Sequence, residues 1–251
     1  MIPLSVVIIT KNEEKNIEDC LKSVYGWAEE IIVVDDESQD KTREIAKKYT
    51  GKIFVRKMDI EGRHRNWAYS QAKNEWVLSL DADERMTEEL KDEIDKILKE
   101  NTDYVAFSIP LRNYIGDYWV RYGGWYPAGK VRLFKKDKFR YEEAEVHPRV
   151  FIEGRCGHLK SDIIHKGYAD FTEFFNSLNN QTTLEAKKWI STKRKMSCFH
   201  AFWRAVDRFF RRFIRKKGYK DGFYGFMIAF ADSLYQILSY AKYREMRQNL
   251  K

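Results

Sequence analysis

The amino-acid sequence predicts an α/β protein, with a mostly parallel sheet flanked by helices and a helical region at the carboxyl end. Three observations predict this fold class. Over about the first hundred residues, short β-branched runs alternate with apolar residues at helical spacing. Acidic residues follow two of those runs, and the chain beyond about residue 170 has helical periodicity alone. Alternating strands and helices of this kind form parallel sheets with right-handed crossovers.

Four strands are predicted in this first part of the chain, at residues 5–9, 31–34, 53–55 and 76–80. Their uninterrupted apolar character is typical of strands that are buried on both faces of a sheet. Between and after them, apolar residues recur on one helix face, as Ile17, Leu21 and Val24 do. Asp40 is expected to cap the second of these helices, and Thr87 is expected to begin the fourth.

Residues 104–168 contain short strand-like pieces separated by glycine, aromatic and charged turns. This pattern predicts an antiparallel or mixed extension of the sheet. Beyond about residue 170 the periodicity is helical to the end, without proline. We therefore expect two regions, a sheet domain at residues 1–170 and a helical region at residues 171–251.

Acidic side chains follow two of the predicted strands. Asp35 and Asp36 end the second strand, and Asp81 and Asp83 end the fourth. Neighbouring carboxylates repel one another unless a cation lies near them, and Mg²⁺ or Mn²⁺ commonly bridges protein carboxylates and substrate phosphates. The sequence therefore predicts a metal and phosphate site where the carboxyl ends of the strands meet. The alternative is that these residues are solvated turn formers and helix caps.

The composition argues against a disordered or disulfide-stabilised protein. Apolar residues make up 43% of the chain and aromatic residues 15%, which is enough for a packed core. Cys20, Cys156 and Cys198 are too scattered for a disulfide framework or a zinc pair. This cysteine usage favours a reducing, cytoplasmic location.

Positive charge is concentrated in one segment. The chain has a net charge of +8, and residues 187–220 hold thirteen basic residues and one acid. Aromatic residues recur there at helical spacing, which predicts peripheral attachment to an anionic membrane surface, on the inner face of the cytoplasmic membrane. Arg208, Arg211, Arg212 and Arg215 are expected at headgroup level.

Two alternatives remain for this basic segment. A helical packing surface or a homo-oligomer surface would explain the same aromatic stripe. A spanning helix at residues 222–241 is disfavoured by Asp232 and Gln236 in its middle. Nucleic acid is not expected as a partner, because the sequence has no recognisable RNA-binding signature beside the charge.

Several motifs together resemble one known family. They are residues 5–14, the Asp-Asp-x-Ser-x-Asp-x-Thr segment at residues 35–42, residues 62–66 and the Asp-x-Asp at residues 81–83. This set resembles the family 2 glycosyltransferases of the GT-A fold, which is Rossmann-like. Further motifs at residues 124–127, 132–134, 146–147, 164–165 and 218–222 are similar to those of lipopolysaccharide core β-1,4-glucosyltransferases.

The resemblance implies a binding site for a UDP-sugar donor. Thr10, Asn12 and Glu13 are then expected beneath the nucleotide. Asp36 is expected to accept the imide N–H of uracil, a role that suits a carboxylate. Arg65 is expected near the uracil or the diphosphate, unless it is only a solvated charge on a helix.

The resemblance also implies a divalent metal, Mn²⁺ or Mg²⁺, that bridges the diphosphate. Asp81 is expected to face the ribose or the metal, and Asp83 is expected to bind the metal. His165 is expected as a further ligand, although a histidine that ends a strand can equally be a packing residue. Such an ion would offset the charge on departing UDP.

An inverting transfer needs a general base for the acceptor hydroxyl. The candidates are Glu145, Glu143 and His147, in that order. Pro148 stands where the resembled enzymes usually carry an acid, so the expected base is absent from its usual position. The alternatives are that this acidic run is a solvated turn, or that the chain binds nucleotide sugars without catalysis.

The aromatic and glycine-rich stretch at residues 118–126 is predicted to contribute to the acceptor site, with Trp125 and Tyr126 as binding residues. Aromatic rings offer apolar area to the C–H faces of sugars. Core packing would explain the same residues. The expected activity is transfer of glucose from UDP-glucose to a glycan or lipid-linked acceptor, such as the inner core heptose of lipopolysaccharide. A capsule or glycoprotein precursor is an alternative acceptor.

Overall fold

The computed structural model describes residues 1–100, 102–143 and 149–248, and it confirms the α/β prediction. Strands and helices alternate through the first part of the chain. The elements there are β1 (Ile2–Thr10), α1 (Ile17–Val24), β2 (Ala28–Asp35), α2 (Thr42–Ala46), β3 (Ile53–Val55), α3 (Glu61–Ser70), β4 (Trp76–Asp81), β5 (Glu84–Met86) and α4 (Glu88–Lys99).

The second part of the chain has short strands followed by long helices. The strands are β6 (Tyr104–Ile109), β7 (Leu111–Ile115), β8 (Tyr118–Trp119), β9 (Lys130–Lys135), β10 (Phe139–Tyr141), β11 (Val150–Ile152), β12 (Arg155–His158) and β13 (Ile163–Tyr168). The helices are α5 (Phe171–Ser191), α6 (Cys198–Phe210) and α7 (Gly222–Gln248). A π-helical turn at Arg211–Arg215 extends α6.

The central sheet has the strand order β12-β6-β9-β4-β1-β2-β3. β1 pairs in parallel with β2 and with β4, and β2 pairs in parallel with β3. β9 runs antiparallel to β4 and β6, so the predicted mixed extension of the sheet begins at this strand. Because β1, β2 and β4 run in the same direction, their carboxyl ends lie at one edge of the sheet, where parallel sheets bind ligands.

Apolar side chains cover both faces of this sheet. Val6 and Val33 are buried in one cluster, whereas Val7 and Ile32, their chain neighbours, are buried in another. Successive side chains of a strand point to opposite faces, so a strand covered on both sides is apolar at every position. This packing explains why the strand runs show no polar alternation.

The helix starts largely follow the predicted caps. Thr87 precedes α4, and its Oγ1 accepts the Leu90 backbone N–H at 3.2 Å, as expected. Asp40 accepts the Thr42 backbone N–H at 3.0 Å, but Lys41 occupies the N-cap position of α2, so the cap predicted at Asp40 is wrong by one residue. Both contacts satisfy amides that have no partner inside the helix.

The chain divides into two compact units. The sheet unit comprises Met1–Leu111 and Gly129–His165, and the helical unit comprises Arg112–Ala128 and Lys166–Lys251. The helical unit resumes close to the boundary predicted at residue 170. It also includes residues 112–128, which the sequence analysis had placed in the sheet domain.

Within the helical unit, α5 and α7 share an apolar core. Phe174 and Leu178 of α5 are buried with Ile228 and Ala231 of α7, and Ile115 of β7 joins the same cluster. These residues recur three or four positions apart on each helix, which is the spacing of one buried helix face. The helical periodicity of the sequence therefore reports a packed interface between α5 and α7.

The motif at residues 218–222 has a structural role in the helical unit. Asp221 is 4% exposed, and its carboxylate accepts the backbone N–H groups of Arg121 and Tyr122 at 3.3 and 2.7 Å. A Cβ atom on Gly225 would collide with the carbonyl oxygen of Gly218, so glycine is required where the start of α7 approaches this turn.

Candidate functional site

The carboxyl ends of β1, β2 and β4 bring the two acidic clusters to one edge of the sheet. In the pairing registers, Thr10 lies beside Asp35, and Ile9 lies beside Asp81. The backbone N–H of Asp36 donates to the carbonyl oxygen of Thr10 at 2.9 Å, which ties the ends of β1 and β2 together.

The loops that follow β1 and β2 hydrogen-bond to each other. The backbone N–H of Asn12 donates to Ser38 Oγ, and that of Glu13 donates to Thr42 Oγ1, both at 2.8 Å. Asn12 has a φ of 54°, in the left-handed region, and its Oδ1 accepts the Gln39 backbone N–H at 2.8 Å. Asn12 and Glu13 thus shape the loop in which the sequence predicts nucleotide binding.

Asp36 is nearly buried and is held by two partners. Lys11 Nζ lies 2.8 Å from Asp36 Oδ2, and the backbone N–H of Met58 donates to Oδ1 at 2.8 Å. Burial acts to raise the pKa of Asp36, but the contacts with Lys11 and Met58 outweigh burial and lower the pKa below its usual value. The carboxylate is therefore ionised at neutral pH and can accept a further hydrogen bond.

Asp81 is clamped between two arginines. Arg65 Nη2 lies 3.1 Å from Asp81 Oδ1, and Arg132 Nη2 lies 2.6 Å from Oδ2. Arg132 is 2% exposed and also pairs with Glu84, whose Oε2 accepts the Asp81 backbone N–H at 2.9 Å. Asp81, Glu84 and the two guanidinium groups thus form one network, and Glu61 joins it through a contact of 3.1 Å with Arg65 Nε.

The network moves the pKa values of Asp81 and Glu84 in opposite directions. Burial acts to raise the pKa of Asp81, but the charges of Arg132 and Arg65 hold it well below its usual range. The pKa of Glu84 is raised, because burial and the Asp81 charge outweigh the attraction of Arg132. Asp81 is therefore a charged side chain that the two arginines orient.

Asp83 and His165 face each other, with 3.1 Å between Asp83 Oδ2 and His165 Nε2. Both side chains are 22% exposed. His165 lies on β13, paired with Glu84 of β5 in the antiparallel register. Burial acts to lower the pKa of His165, but the hydrogen bond with Asp83 and the charges of Asp83 and Glu84 raise it above its usual value.

The Asp83–His165 pair fits a divalent cation that is shared with a substrate. Carboxylate oxygen and imidazole nitrogen are both donors that Mn²⁺ accepts. Among the residues that the structure describes, no group of three or more His, Cys, Asp and Glu side chains is arranged to hold a metal. An ion at this pair would therefore need phosphate and water oxygens as its other ligands, as Mg²⁺ usually does.

Four buried polar side-chain atoms at the same edge form no hydrogen bond within the described residues. Thr10 Oγ1, Asp35 Oδ1, His64 Nε2 and Arg65 Nη1 have no hydrogen-bond partner within the described part of the chain. His64 Nδ1 lies 2.8 Å from Arg56 Nη1, and a guanidinium group can only donate, so Nε2 carries the imidazole hydrogen. A buried donor or acceptor left unpaired costs about 1–3 kcal/mol, which a polar ligand would relieve.

The predicted general bases are only partly described. Glu145 and His147, with Pro148 beside them, lie outside the described residues. Glu143 is exposed, and its Oε2 lies 3.1 Å from Arg63 Nε. Its carboxylate therefore has a cationic partner already.

The predicted acceptor residues, Trp125 and Tyr126, belong to the helical unit. The Trp125 ring packs 6.0 Å from the Phe174 ring, and its carbonyl oxygen accepts from Asn113 Nδ2 at 2.7 Å. The Tyr126 ring meets the Trp119 ring edge-on at 5.4 Å. Trp125 thus contributes to the core of this unit. Core packing was the alternative interpretation of this residue in the sequence analysis.

Four residues of the strand-end site had no role in the sequence argument: Lys11, His64, Glu84 and Arg132. Arg132 had a local signal, because it is a charged residue inside the otherwise apolar run of β9. Lys11 and His64 had only their place in the motif segments at residues 5–14 and 62–66, and Glu84 had no signal.

The helices α6 and α7, with the turn that extends α6, expose large apolar side chains, here called the α6–α7 surface. These side chains are Phe199, Phe202, Trp203, Phe210, Ile214, Phe223, Phe226, Phe230 and Ile237. Phe199 is 79% exposed and Trp203 is 63% exposed. A ring contact of 6.0 Å between Phe209 and Phe226 joins the two helices beneath this surface. No helix in the described ranges is both long enough and apolar enough to span a membrane.

The arginines of this region fall into two groups. Arg211 and Arg215 are exposed, as are Lys216 and Lys217. Arg212 instead pairs with Asp232 and donates from Nη1 to the carbonyl oxygen of Gly123 at 2.6 Å. Arg208 lies over the Tyr235 ring at 5.4 Å. Arg212 therefore has partners within the helical unit. The expectation that all four arginines lie at headgroup level stays a prediction.

Comparison with known proteins gives a consistent set of similarities. Residues 5–157 match the family described as "Glycosyl transferase family 2". An uncharacterized glycosyltransferase of Rickettsia typhi is 30% identical over 98% of this chain and 88% of its own length. The lipopolysaccharide core biosynthesis glycosyltransferase LpsC of Rhizobium meliloti is 25% identical over 96% of this chain and 92% of its own length.

Among solved structures, residues 1–349 of TarS from S. aureus in complex with UDP are similar to this chain. The sequence identity is 17%, the match covers 98% of this chain and 91% of the other, and the TM-score is 0.46.

Proposed function

The chain belongs to glycosyl transferase family 2, and from that premise we propose that it transfers glucose from UDP-glucose to a saccharide acceptor with inversion at the anomeric carbon. The observation that carries the proposal is that Asp36 and the Asp83–His165 pair follow the ends of β2 and β4, the two strands that flank β1, at the carboxyl edge of the sheet. The motifs in which these residues lie also resemble UDP-sugar enzymes, which supports uridine as the nucleoside.

In this proposal the donor lies along the strand ends. Asp36 accepts the uracil imide N–H, while the Nε2–H of His64 and the free Nη1 of Arg65 are donors for carbonyl or phosphate oxygens. Asn12 and Glu13 hold the loop beneath the nucleotide, and Thr10 offers a buried hydroxyl. The orphaned polar atoms thereby gain partners when the donor binds.

Asp83 and His165 would hold the divalent metal, and the ion would supply Lewis-acid stabilisation of the diphosphate as the leaving group. Asp81 acts differently in this proposal, because Arg65 and Arg132 already occupy both of its carboxylate oxygens. It orients the ribose side of the donor and keeps the two guanidinium groups in place. Arg132 is then a positioning residue.

The chemical step needs a base on the acceptor side. The acceptor hydroxyl oxygen bonds to the anomeric carbon while the bond from that carbon to the UDP oxygen breaks, and the hydroxyl proton passes to the base. Attack from the face opposite UDP inverts the configuration. We assign the base to Glu145, with Glu143 and His147 as the alternatives, and Glu143 is weakened as a candidate by its contact with Arg63.

Calorimetry of UDP binding tests the donor site. The wild-type protein should bind UDP more tightly with Mn²⁺ than without it, and Asp83→Ala should remove most of that difference. Asp36→Ala should weaken UDP binding about tenfold even without metal, because a charge-assisted hydrogen bond to the base is lost. Asp103→Ala, which changes an exposed carboxylate elsewhere in the sheet unit, is the control. Equal UDP affinity of the wild type with and without Mn²⁺ would contradict the assignment of Asp83 and His165 as metal ligands.

Turnover of UDP-glucose tests the assignment of the general base. Glu145→Gln should preserve UDP affinity and reduce UDP release in the presence of a lipopolysaccharide core preparation by about 10²–10⁴-fold, the usual contribution of general-base catalysis. Glu143→Gln is the matched comparison in the same run. If Glu145→Gln is fully active while Glu143→Gln or His147→Ala is inactive, the general base is another residue of this run. If the wild-type protein binds UDP-glucose without turnover, a nucleotide-sugar-binding protein is favoured.

The acceptor in this proposal is a saccharide of the lipopolysaccharide inner core, such as its heptose. Its support is the name of the LpsC relative, which matches this chain along nearly its whole length, and the motif resemblance. Capsule and glycoprotein precursors are the competing acceptors, and the same UDP-release assay with each preparation separates them.

We also propose that the α6–α7 surface attaches the protein peripherally to the cytoplasmic face of an anionic membrane. Exposed rings such as Phe199 and Trp203 would enter the interface, and the neighbouring exposed cations would contact lipid phosphates. This location suits an enzyme with a cytosolic donor and a lipid-linked acceptor. Association of two copies through the same surface is the competing use of these side chains.

A further inference from the structure

The helical unit contains a cavity of about 740 Å³ whose lining residues all belong to that unit. This volume is within the range of roughly 300–1,000 Å³ that is usual for small-molecule sites. Its walls include four aromatic side chains, Tyr114, Tyr118, Trp119 and Tyr122. None of these four residues contributes to the donor site described above.

Three cations lie against two of these aromatic side chains, Trp119 and Tyr122. The Arg121 guanidinium carbon is 4.4 Å from the Trp119 ring centroid, and that of Arg112 is 4.7 Å from the same centroid. Lys220 Nζ is 5.4 Å from the Tyr122 ring centroid. Stacking of this kind fixes a guanidinium plane and leaves its N–H edge available to a planar or tetrahedral anion.

The acidic residues of the cavity are already committed to other contacts. Asp221 accepts two backbone N–H groups and is buried. Asp117 pairs with Lys166 at 3.2 Å. Among the described residues, Arg121 and Lys220 form no ion pair, although both line the cavity. With Lys166 beside Asp117, three cations and two carboxylates lie at this cavity, so the local formal charge is positive by one.

One wall also carries an unused hydrogen-bond donor. Trp119 Nε1 is buried and has no partner within the described part of the chain. An indole N–H can only donate, so its complement is an acceptor oxygen. Ring faces, a buried N–H and two unpaired cations together match a ligand that has C–H faces, hydroxyl oxygens and a negative charge.

We infer that this cavity binds an acidic saccharide, a sugar that bears a phosphate or a carboxylate. The inference rests on the proposed function, because it defines the acceptor class of the same enzyme. The cations contact the anionic group, the aromatic walls pack against the pyranose ring, and the Trp119 N–H donates to a sugar oxygen. Neutral sugars satisfy only the second and third of these contacts.

Ligand-detected NMR titration of the full chain tests this inference with four probes: glucose 6-phosphate, glucuronate, glucose and inorganic phosphate. At least one acidic sugar should bind about tenfold more tightly than glucose, as expected for charge-assisted hydrogen bonds. Inorganic phosphate should bind more weakly than glucose 6-phosphate. The two acidic probes distinguish a phosphate ligand from a carboxylate ligand.

The Arg121→Gln/Lys220→Gln double variant should lose the preference for acidic sugars while retaining UDP binding. Arg140→Gln is the matched control, because Arg140 lies over Phe151 at 4.5 Å outside this cavity. Thermal unfolding of each variant checks that it is folded, and Trp119→Phe, which removes the indole N–H together with part of the ring area, should weaken all three sugars alike.

Three results would overturn the inference: equal affinity for glucose and both acidic sugars, a preference that survives the double substitution, or inorganic phosphate bound as tightly as glucose 6-phosphate. A wild-type protein that prefers acidic sugars but does not bind UDP supports the cavity as a saccharide site and counts against the proposed glycosyltransferase activity. The two failures are therefore distinguishable.

Discussion

At the strand ends of the sheet unit, Asp36, Asp81 and Asp83 each contact a cationic or protonatable side chain of the protein, at 2.6–3.1 Å. At the end of α6 the situation is reversed. Among the described residues, the exposed cations Arg211 and Arg215 form no ion pair with any carboxylate. One region satisfies its charges within the fold, and the other presents them to solvent.

This difference follows from burial. A charge removed from water is tolerated only with an opposite charge and hydrogen bonds around it, so the strand-end carboxylates require their arginines and lysine. An exposed cation has no such requirement because water solvates it. Charges that the fold pairs internally position a site, whereas charges it leaves unpaired are available to an external partner.

The largest expected effect comes from breaking the internal pairing. Arg132→Leu leaves Asp81 and Glu84 buried without their shared cation and should lower the free energy of unfolding by about 3–5 kcal/mol. Urea denaturation measures it. Arg140→Leu, an exposed arginine on β10, should change stability far less. If the two variants have similar stability, the buried network does not hold the strand ends.

The second effect concerns the exposed cations. Replacing Arg211, Arg215, Lys216 and Lys217 with Gln should weaken binding to vesicles that contain anionic lipid by about a hundredfold or more, since each basic residue contributes on the order of 1 kcal/mol. Sedimentation with anionic and neutral vesicles measures this. Binding should also weaken as salt rises.

Arg212→Gln is the contrasting variant for that experiment. Arg212 pairs with Asp232, so its loss should destabilise the helical unit and leave vesicle binding nearly unchanged. Salt-insensitive binding to both kinds of vesicle would favour a purely hydrophobic attachment. No binding to either would leave a dimer or packing surface as the explanation of the exposed rings.

The smallest effect is a pH dependence within the sheet unit. Glu30 is 5% exposed and accepts hydrogen bonds from Ser5, Lys52 and the Lys73 backbone. Burial acts to raise the pKa of Glu30, but these contacts outweigh burial and lower it. The stabilisation by the charged form is therefore present above the usual glutamate pKa of about 4.3 and is lost as pH falls through the lowered value.

Glu30→Gln should accordingly reduce the unfolding free energy by about 1 kcal/mol at pH 7, and the difference from wild type should close at acid pH. Glu29→Gln, at the exposed neighbouring position, should show little effect at either pH. A Glu30→Gln difference that grows on acidification would contradict the lowered pKa. Denaturant titrations at pH 7 and at acid pH supply the comparison.

Much of the fold was predictable because it depends on local patterns. The apolar runs of β1, β2 and β4 and the helix start at Thr87 are properties of neighbouring residues, and the structure confirms them. The meeting of the two acidic clusters at one edge was also predictable, because parallel strands end on the same side.

Other features depend on contacts between distant residues. Arg132 reaches Asp81 across 51 positions of the chain, and Arg212 reaches Gly123 across 89. No periodicity or motif encodes such a pairing. The assignment of Trp125 to the helical core and of Arg212 to an internal ion pair therefore required the three-dimensional structure.

The sequence by itself determined the α/β class, the alternation of β1 to β4 with the helices that follow them, and the family, because hydrophobic periodicity and motif spacing are properties of the linear chain. Only the tertiary structure decided which charges are paired and which are left unpaired. Asp81 is oriented by two arginines, Asp83 faces His165, and Arg121 has no ion pair in the described residues. The physical reason is that pairing depends on burial and on distances through space, which exist only once the chain has folded.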